Sequence, residues 1–562
     1  MLSRFPRIWD APNLSVWLVA AWLTVYNRGM VQLISRFPLP VSFSWRLALM
    51  IGAPFLTAIA LRIFLSPIER MPFDSDEAIF LLMARHILAG ERPLFFYGEA
   101  YGGSADSYLT ALFYYFFGAT IAIARLVQSL EYLIAMLFTY LLARRLLPEA
   151  SLGPLAVLWL MAVPPLLMTT WTTPAVLYAV VVGLGSIISY LGYRLLWEDA
   201  DRPWPWIIFG AVCGLAFWTF GILVVYMLPV FLLFLWQFRW RRMPYYLMAA
   251  VAFFLFSLPW WVQAIEGLQV LYDPDLPPVI PPFTTRLFAF LTITLPGYFG
   301  FREPWAPQII WPALALPLLI FYLAAILYAV PLLRRQDQNQ PQVEPLGLTL
   351  LGLQVLVWLA LYFGTRFSSD PTGRYIVPLL PVLFIAVGLL LERIYRWRHT
   401  VAASLLVALL VFNLATHIRV IQTVPPGITA QMNPALHFGN DFDQALIDFV
   451  SDQGGHGYSH HWISYKIAFL SEERVVLAAQ LPYRPDLNWL PLDDRYAPYV
   501  DRVTASPQRV YVTHREPNLE SYLQHAFETR AITYRIEDIG PYRVYYDFST
   551  LIAPQEIGLG LP

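Results

Sequence analysis

Three acidic residues stand within four positions in segment 72–78, immediately before an apolar helical pattern. Asp74 fits a helix N-cap and Glu77 fits the third helical position, so together they predict a capping box. Asp76 would occupy the second helical position, where a cap requires no acid, although acids there also complement the helix dipole. The helix N-terminus would keep the Asp76 carboxylate ionised. An ionised carboxylate held over a membrane surface is a candidate general base.

A second polar cluster follows within residues 85–106. Asp106 stands in the first turn of the next helical pattern, where it either complements the helix dipole or takes part in catalysis, and both alternatives stay open. A lone histidine at an interface is more often a hydrogen-bonded structural residue than a metal ligand. We predict substrate-binding roles, without a metal, for His86, Arg92, Tyr97 and Tyr101.

The histidine-rich stretch 456–461 suggests a metal site at first reading. However, His460 and His461 are adjacent and would face opposite sides of a strand, and no cysteine lies nearby. Contact with an acceptor substrate beside the aromatic residues is one alternative, and an ordinary domain surface is the other. We predict no metal ligands here, although a divalent metal elsewhere in the protein stays open.

The composition and the apolar runs of the chain indicate that these residues belong to a membrane protein. Of the 562 residues, 58% are hydrophobic and only 13% are charged, so a water-soluble domain of this size could not cover its own surface. The net charge of −1 argues against a nucleic-acid partner, and the single cysteine, Cys213, cannot form an intrachain disulfide. Eleven apolar runs are predicted to cross the membrane: 45–65, 125–143, 152–171, 174–196, 206–221, 222–238, 244–264, 309–333, 346–363, 375–392 and 400–420.

Arginines collect after the even-numbered runs, at residues 144–145, 194, 239–242, 334–335 and 393–398. Under the positive-inside rule these ends are cytoplasmic. The N-terminal region 1–44, with an interfacial helix near residues 14–26, is then also cytoplasmic. The transmembrane domain covers residues 45–420, and we expect it in the plasma (inner) membrane. The loop 66–124, the loop 265–308 and the tail 421–562 lie outside.

These outside segments contain predicted structure of their own. The loop 66–124 carries two helical patterns, 75–89 and 104–117, and long loops are usually functional. The tail alternates helical and strand patterns, including a hairpin of 532–539 with 542–548. The predicted fold is a polytopic α-helical membrane protein of about eleven transmembrane helices with a small C-terminal extracytoplasmic α/β domain.

The order of these features resembles the type C (GT-C) integral-membrane glycosyltransferases, above all the branch of protein O-mannosyltransferases and aminoarabinose transferases. The matching features are the Asp76–Glu77 pair between two spans, a second span that begins at Arg125 and ends in Leu-Ala-Arg-Arg, and the pair Arg374–Tyr375 before two prolines. The resemblance implies that Asp76 is the catalytic base and that Glu77 belongs to the site. Some relatives carry an arginine three residues after the aspartate, where this chain has Ile79.

The resemblance implies a polyprenyl-phosphate sugar as donor, with its lipid tail among the membrane lipids and its phosphate at the outer face. The acceptor hydroxyl, on a protein, lipid or glycan, needs a base, and the departing phosphate needs positive charge. Arg374 is the first candidate for that charge, followed by Arg366, Arg302 and Arg286. Tyr375, next to Arg374, is a further candidate for binding the donor. For each arginine the alternative is a side chain that extends to lipid headgroups. One base without a second nucleophile implies a single displacement with inversion.

A transporter or flippase of a lipid-linked saccharide is the alternative function. Transporters place ionisable groups in mid-membrane and show inverted repeats with broken helices. In this chain Gln128 and Glu131 are the few polar residues well inside a predicted span, and the polar clusters lie in outside loops. The sequence therefore favours chemistry at the outer face, with a scaffolding protein as a weaker third option.

The predicted topology has a direct test. A reporter enzyme fused after residue 421 should be active only on the extracytoplasmic side, because the arginine clusters agree in orientation along the whole chain. A reporter that is active in the cytoplasm would contradict the predicted orientation.

Overall fold

A computed structural model describes residues 45–98, 102–147, 152–198, 201–267, 280–303, 308–332, 345–423 and 439–559. The chain divides into two compact units, Met1–Ala53 and Pro54–Pro562. The predicted interfacial helix at 14–26 and the predicted site residue Tyr101 lie outside the described residues.

Helices dominate the chain as far as residue 423, as the apolar runs predict. In chain order they are α1 Trp45–Leu65, α2 Ser75–Ala89, α3 Ala105–Phe117, α4 Ile121–Leu146, α5 Gly153–Ala162, α6 Leu166–Thr172, α7 Tyr178–Trp197, α8 Pro203–Thr219, α9 Val224–Trp236, α10 Met243–Phe256, α11 Leu258–Gly267, α12 Phe283–Ala289, α13 Leu295–Tyr298, α14 Pro312–Leu332, α15 Pro345–Gly364, α16 Leu380–Trp397 and α17 His399–Thr423.

Within the described part of the chain, six helices are long and apolar enough to cross a membrane. A seventh crossing is counted if α5 and α6, which bend by 59° at their junction, form one span. The junction contains Pro164 and Pro165, which cannot continue the hydrogen bonding of a helix. Helices occupy all eleven predicted ranges, but several are short, so the number eleven stays a prediction.

Helix α2 begins as the acidic motif predicts. The Asp74 carboxylate accepts a hydrogen bond of 3.2 Å from the backbone N–H of Glu77, and Asp74 has the extended backbone of an N-cap. The helix ends at Gly90, whose φ of 112° suits glycine. The reciprocal half of the predicted capping box is wrong, because the Glu77 side chain binds Arg125 instead.

The ion pair of Glu77 with Arg125 is fully buried and joins α2 to α4. Two parallel hydrogen bonds of 2.9 and 2.5 Å connect the guanidinium to the carboxylate. Arg125 also donates to the carbonyls of Ser66 and Met71, and Glu77 accepts from the N–H of Ala175. Both charged groups have hydrogen-bond partners. The pair therefore holds the first turn of α2 against α4, against segment 66–71 and against Ala175.

The C-terminal part, 439–559, contains a five-stranded mixed sheet of order β2-β1-β3-β5-β4. Strands β1, β2 and β3 are parallel, whereas β5 pairs antiparallel with both β3 and β4. Its core includes Ile447, Ile463, Val512 and Val544. The elements are α18 Asp443–Asp452, β1 His456–Ser459, α19 His461–Leu470, β2 Val476–Ala479, α20 Pro498–Ala505, β3 Val510–Thr513, α21 Pro517–Thr529, β4 Arg535–Ile539 and β5 Tyr542–Tyr546.

The hairpin of β4 and β5, with Gly540 in its turn, matches the predicted hairpin. The sequence patterns did not predict β1, α19 or α20. The histidine-rich stretch thus forms an inner strand of the sheet and the start of a buried helix. The alternative of an ordinary domain surface does not hold for His460 and His461, which are 0% and 4% exposed.

Helix α19 packs along α2, so the C-terminal part lies directly over the acidic motif. The Asn440 amide makes two hydrogen bonds of 2.9 Å with the backbone of Phe73, one to the N–H and one to the carbonyl. The backbone N–H of Lys466 donates to the Ser75 hydroxyl, and the Phe73 and Phe469 rings are in contact. These contacts bracket the residues that immediately precede Asp76.

The buried ion pair predicts a specific pattern of stabilities. Arg125→Met should lower the free energy of unfolding by about 3–5 kcal/mol, because it leaves Glu77 buried without its charge partner. The double variant Glu77→Leu/Arg125→Met should recover a large part of that loss. Thermal unfolding of the purified protein in detergent measures both effects.

Arg145 and Glu198 form the matched control pair, since they make a similar contact of 2.9 Å but are partly exposed. Arg145→Met should cost at most about 1 kcal/mol. Equal losses from Arg145→Met and Arg125→Met would contradict the role given to the buried pair.

Candidate functional site

Asp76 lies at the second position of α2, and its side chain is 26% exposed among neighbours that are buried. One carboxylate oxygen lies 3.2 Å from Nε2 of His461, the first residue of α19. The site therefore joins the start of a helix in the loop 66–124 to the start of a helix in the C-terminal part.

Two arginines add positive charge around this carboxylate. Burial would raise the pKa of Asp76, but the hydrogen bond and the charge of His461, together with the charges of Arg495 and Arg374, outweigh burial and hold that pKa below its usual value. Asp76 is consequently a carboxylate at neutral pH. An ionised carboxylate beside three basic side chains can take a proton while the surrounding cations attract an anionic ligand.

Arg374 is held at a sharp turn in the chain. Gly373 adopts φ 85°, and a Cβ atom there would approach the Leu167 side chain to about 3.0 Å. The Arg374 guanidinium forms an ion pair of 2.5 Å with Asp370 and lies 4.9 Å from the centre of the Tyr375 ring. These contacts hold Arg374, which the sequence motif identified, and its charge contributes to the lowered pKa of Asp76.

The segment 280–303 supports this turn. Arg286 donates to the carbonyl of Phe363 and to the hydroxyl of Ser368, and the Thr294 hydroxyl donates to the carbonyl of Pro371. Arg302 donates to the carbonyl of Thr292 in its own segment, at 2.9 Å. The described part of the loop 265–308 therefore contacts the residues that precede Arg374.

His86 and Tyr97 form a polar contact with the C-terminal part. The two ring nitrogens of His86 lie 3.0 Å from the Tyr97 hydroxyl and 3.2 Å from the Glu473 carboxylate. Tyr97 and Tyr496 each donate to a different oxygen of Glu91. This network places His86 and Tyr97, both predicted to bind substrate, where the loop 66–124 contacts the C-terminal part.

The other predicted residues occupy different surroundings. Arg92 donates to the backbone carbonyls of Ile87 and Glu91. Tyr375 stacks on Phe367 with ring centres 4.5 Å apart. Glu77 is buried in its ion pair with Arg125, so its carboxylate can support the site only through the backbone of α2.

Asp106 is 2% exposed and accepts two hydrogen bonds, of 3.0 and 3.1 Å, from the Gln128 amide. Burial raises the pKa of Asp106 to about 6, while hydrogen bonds with Gln128 and Glu131 offset part of that effect. A hydrogen bond between the Asp106 and Glu131 carboxyls requires a proton on one of them. These residues form a buried polar group between α3 and α4.

Sequence reasoning missed the direct partner of Asp76, His461, and also Arg495, whose charge acts on Asp76. His461 belongs to the stretch that was weighed as a metal site, and its residue type was the available signal, but nothing local indicated its contact 385 positions away. Arg495 carried no signal at all. Among the described residues, no group of three or more His, Cys, Asp or Glu side chains is arranged to hold a metal ion.

Comparisons with known proteins bear on this arrangement. Residues 105–261 match the model of a family described as dolichyl-phosphate-mannose-protein mannosyltransferase. No curated protein sequence matches the chain significantly. The crystal structure of ArnT from Cupriavidus metallidurans bound to undecaprenyl phosphate matches with a TM-score of 0.56 at 14% identity, covering 92% of this chain and 100% of that one.

The chain has the GT-C glycosyltransferase fold. The apo structure of the same ArnT agrees, with a TM-score of 0.58 at 14% identity and coverage of 88% of this chain and 97% of that one. The predicted resemblance to GT-C enzymes is therefore confirmed. The likeness to ArnT includes the C-terminal part, because the matched region covers nearly the whole of both proteins.

The buried Asp106 carboxyl predicts a pH-dependent stability. Its folded pKa of about 6 lies above the unfolded value, so the neutral form is favoured in the fold and wild-type stability falls as pH rises from about 4 to about 6. Asp106→Asn lacks this titration. Relative to wild type, the variant should gain on the order of 1–3 kcal/mol between pH 4 and pH 7. Thermal unfolding at several pH values measures this gain, and a difference independent of pH would contradict it.

Proposed function

We propose that this protein transfers a sugar from a polyprenyl-phosphate donor to an acceptor hydroxyl, with Asp76 as the general base. The observation that carries the proposal is the partly exposed Asp76 carboxylate, with its lowered pKa, among His461, Arg374 and Arg495. A base beside concentrated positive charge suits a reaction in which a hydroxyl loses a proton while a phosphate departs.

The reaction is a single displacement. The acceptor oxygen attacks the anomeric carbon from the face opposite the phosphate, and its proton passes to the Asp76 carboxylate. The bond between the anomeric carbon and the phosphate oxygen breaks, and the phosphate keeps the electron pair. Arg374 and Arg495 stabilise the charge of the departing phosphate, and the anomeric configuration is inverted.

The remaining predicted residues support this reaction from a distance. Glu77 positions α2 through Arg125, and Tyr375 orients Arg374. His86, Arg92, Tyr97 and Arg302 shape the surrounding loops, and Asp106 supports the packing of α3 on α4. We place Tyr101 beside the donor on the strength of the sequence pattern alone.

Two features of the comparisons support a lipid-linked donor. The ArnT structure was solved with undecaprenyl phosphate, and the matched family is described by a dolichyl-phosphate-linked mannose. A polyprenyl-phosphate sugar keeps its lipid tail among the membrane lipids, so its phosphate stays at the interface where a base outside the spans can act. The acceptor is a hydroxyl of a protein, lipid or glycan.

The proposed location follows from the arginine pattern. The protein is an integral plasma (inner) membrane protein with its N-terminal region 1–44 in the cytoplasm. Residues 45–420 form the transmembrane catalytic domain, and residues 421–562 form an extracytoplasmic domain over the site. A transporter or flippase is less well supported, because the charged cluster around Asp76 belongs to segments between the spans rather than to mid-membrane helices.

Asp76→Asn tests the proposed base. The change removes the base and keeps the size of the side chain, so turnover should fall roughly 10²-fold or more while donor binding is largely kept. Transfer is measured with purified protein and a panel of radiolabelled undecaprenyl-phosphate sugars, and donor binding is measured separately.

Asp74→Ala is the matched control at the adjacent cap. Losing the cap should cost about 1 kcal/mol of helix stability and reduce turnover only modestly. If Asp76→Asn turned over normally while a folded Asp74→Ala were inactive, the proposal for Asp76 would be contradicted. Asp74 would then be the base.

A further inference from the structure

His461 is the part of the C-terminal region that touches the proposed base. Its Nε2 lies 3.2 Å from the Asp76 carboxylate, and its Nδ1 lies 3.1 Å from the backbone carbonyl of Asp493. The histidine is 4% exposed, so water has little access to the ring. Both ring nitrogens therefore depend on these two oxygen partners for their hydrogen bonds.

We propose that His461 is a positioning residue that holds Asp76 in its ionised form through an imidazolium–carboxylate pair, so that the C-terminal region completes the active site. The inference rests on the proposed function of Asp76 and adds a second residue, from a distant part of the chain, to the same site. His461 does not contact substrate in this arrangement, because both of its nitrogens are occupied.

The partners of the ring determine its protonation. A neutral imidazole carries one N–H and one lone pair, whereas the carbonyl of Asp493 and an ionised Asp76 both accept hydrogen bonds. A neutral ring that donates to Asp493 would turn its lone pair toward the Asp76 carboxylate, which is repulsive. Only the imidazolium donates to both oxygens at once.

A protonated His461 needs the Asp76 carboxylate to stabilise its positive charge. His461 is the first residue of α19, and a positive charge at a helix N-terminus is opposed by the helix dipole. Asp76 supplies the nearest negative charge. Among the described residues, other charged or titratable groups that act on this pair or contact it are Arg374, Arg495, Asp494, Tyr465 and Tyr483.

The ring is fixed in place by its surroundings. Its plane lies perpendicular to that of Trp462 at 4.8 Å and meets the Tyr465 ring at 5.5 Å. The helix that carries it is tied to α2 through the hydrogen bond from Lys466 to Ser75. A hydrogen bond between such rigid partners restricts the Asp76 rotamer as well as its protonation.

The proposal predicts how Asp76 titrates without the cation. An opposite charge at this distance lowers a carboxyl pKa by about 1–3 units, so replacing His461 with a neutral residue should raise the pKa of Asp76 by about one unit or more. Since the base acts only when ionised, the acid limb of the pH–rate profile should move upward by a similar amount. The KM for the donor should change little.

His461→Gln is the test variant, because glutamine keeps an N–H donor and removes the charge. His460→Gln is the matched control, since His460 is also buried but pairs with Glu516. Infrared titration of the full-length protein in nanodiscs follows the carboxyl band that disappears in Asp76→Asn. That band should appear at higher pH in His461→Gln and should be unchanged in His460→Gln.

The reciprocal variant covers the case in which His461→Gln does not fold. Asp76→Asn leaves His461 in place, and its ¹⁵N-histidine spectrum should show one imidazolium signal fewer than that of wild type at the same pH. An unchanged spectrum, or an unchanged Asp76 titration in folded His461→Gln, would overturn the proposal.

Activity separates this proposal from the proposed function. With a radiolabelled undecaprenyl-phosphate sugar that wild type uses, the acid limb should shift in His461→Gln and not in His460→Gln. A shifted infrared titration without transfer from any tested donor would contradict the proposed function and leave the ion pair standing. Normal transfer in His461→Gln together with an unshifted Asp76 titration would contradict the ion pair and leave the proposed function standing.

Discussion

The site depends on the buried ion pair of Glu77 with Arg125. Taking two charges out of water costs several kcal/mol for each ion, and only complete hydrogen bonding offsets that cost. Arg125 meets this condition through Glu77, Ser66 and Met71, while Glu77 also accepts from the N–H of Ala175. An arrangement with so many simultaneous partners has one geometry. The ion pair therefore fixes the helix turn that carries the adjacent Asp76, and with it the direction in which the Asp76 side chain extends.

The second constraint is the docking of the C-terminal region on the same helix start. Asn440 binds both polar groups of the Phe73 backbone, and Lys466 binds the Ser75 hydroxyl. Lys466, the single lysine of the chain, is itself buried against Asp443 and Tyr542. The domain that carries His461 is thus held by buried and partly buried polar contacts. These contacts bring His461 to Asp76.

Local patterns were sufficient for part of this account. The bounds of α2, the Asp74 cap and the terminal hairpin follow from capping residues, apolar periodicity and a turn glycine, and all of these are short-range properties. The motif Arg374–Tyr375 could be singled out because an arginine–tyrosine pair that opens an apolar span before two prolines resembles the family pattern. In each case the information lies within a few residues of the element that it determines.

The remainder depends on contacts that local patterns do not encode. Strand β1 has four residues, and the short run of α19 lacks the polar face of a surface helix because it is buried on several sides. His461 meets Asp76 across 385 positions, and Glu77 meets Arg125 across 48. The type of His86 suggested substrate binding, whereas its partners Tyr97 and Glu473 depend on how two segments dock.

The most direct test of the central claim is an electron cryo-microscopy structure of the full-length protein in nanodiscs containing undecaprenyl phosphate. If Asp76 is the base, phosphate density should lie beside Asp76, within hydrogen-bonding distance of Arg374 or Arg495, and an isoprenoid chain should run from it into the bilayer. Phosphate bound elsewhere, with Asp76 outside its reach, would contradict this role of Asp76.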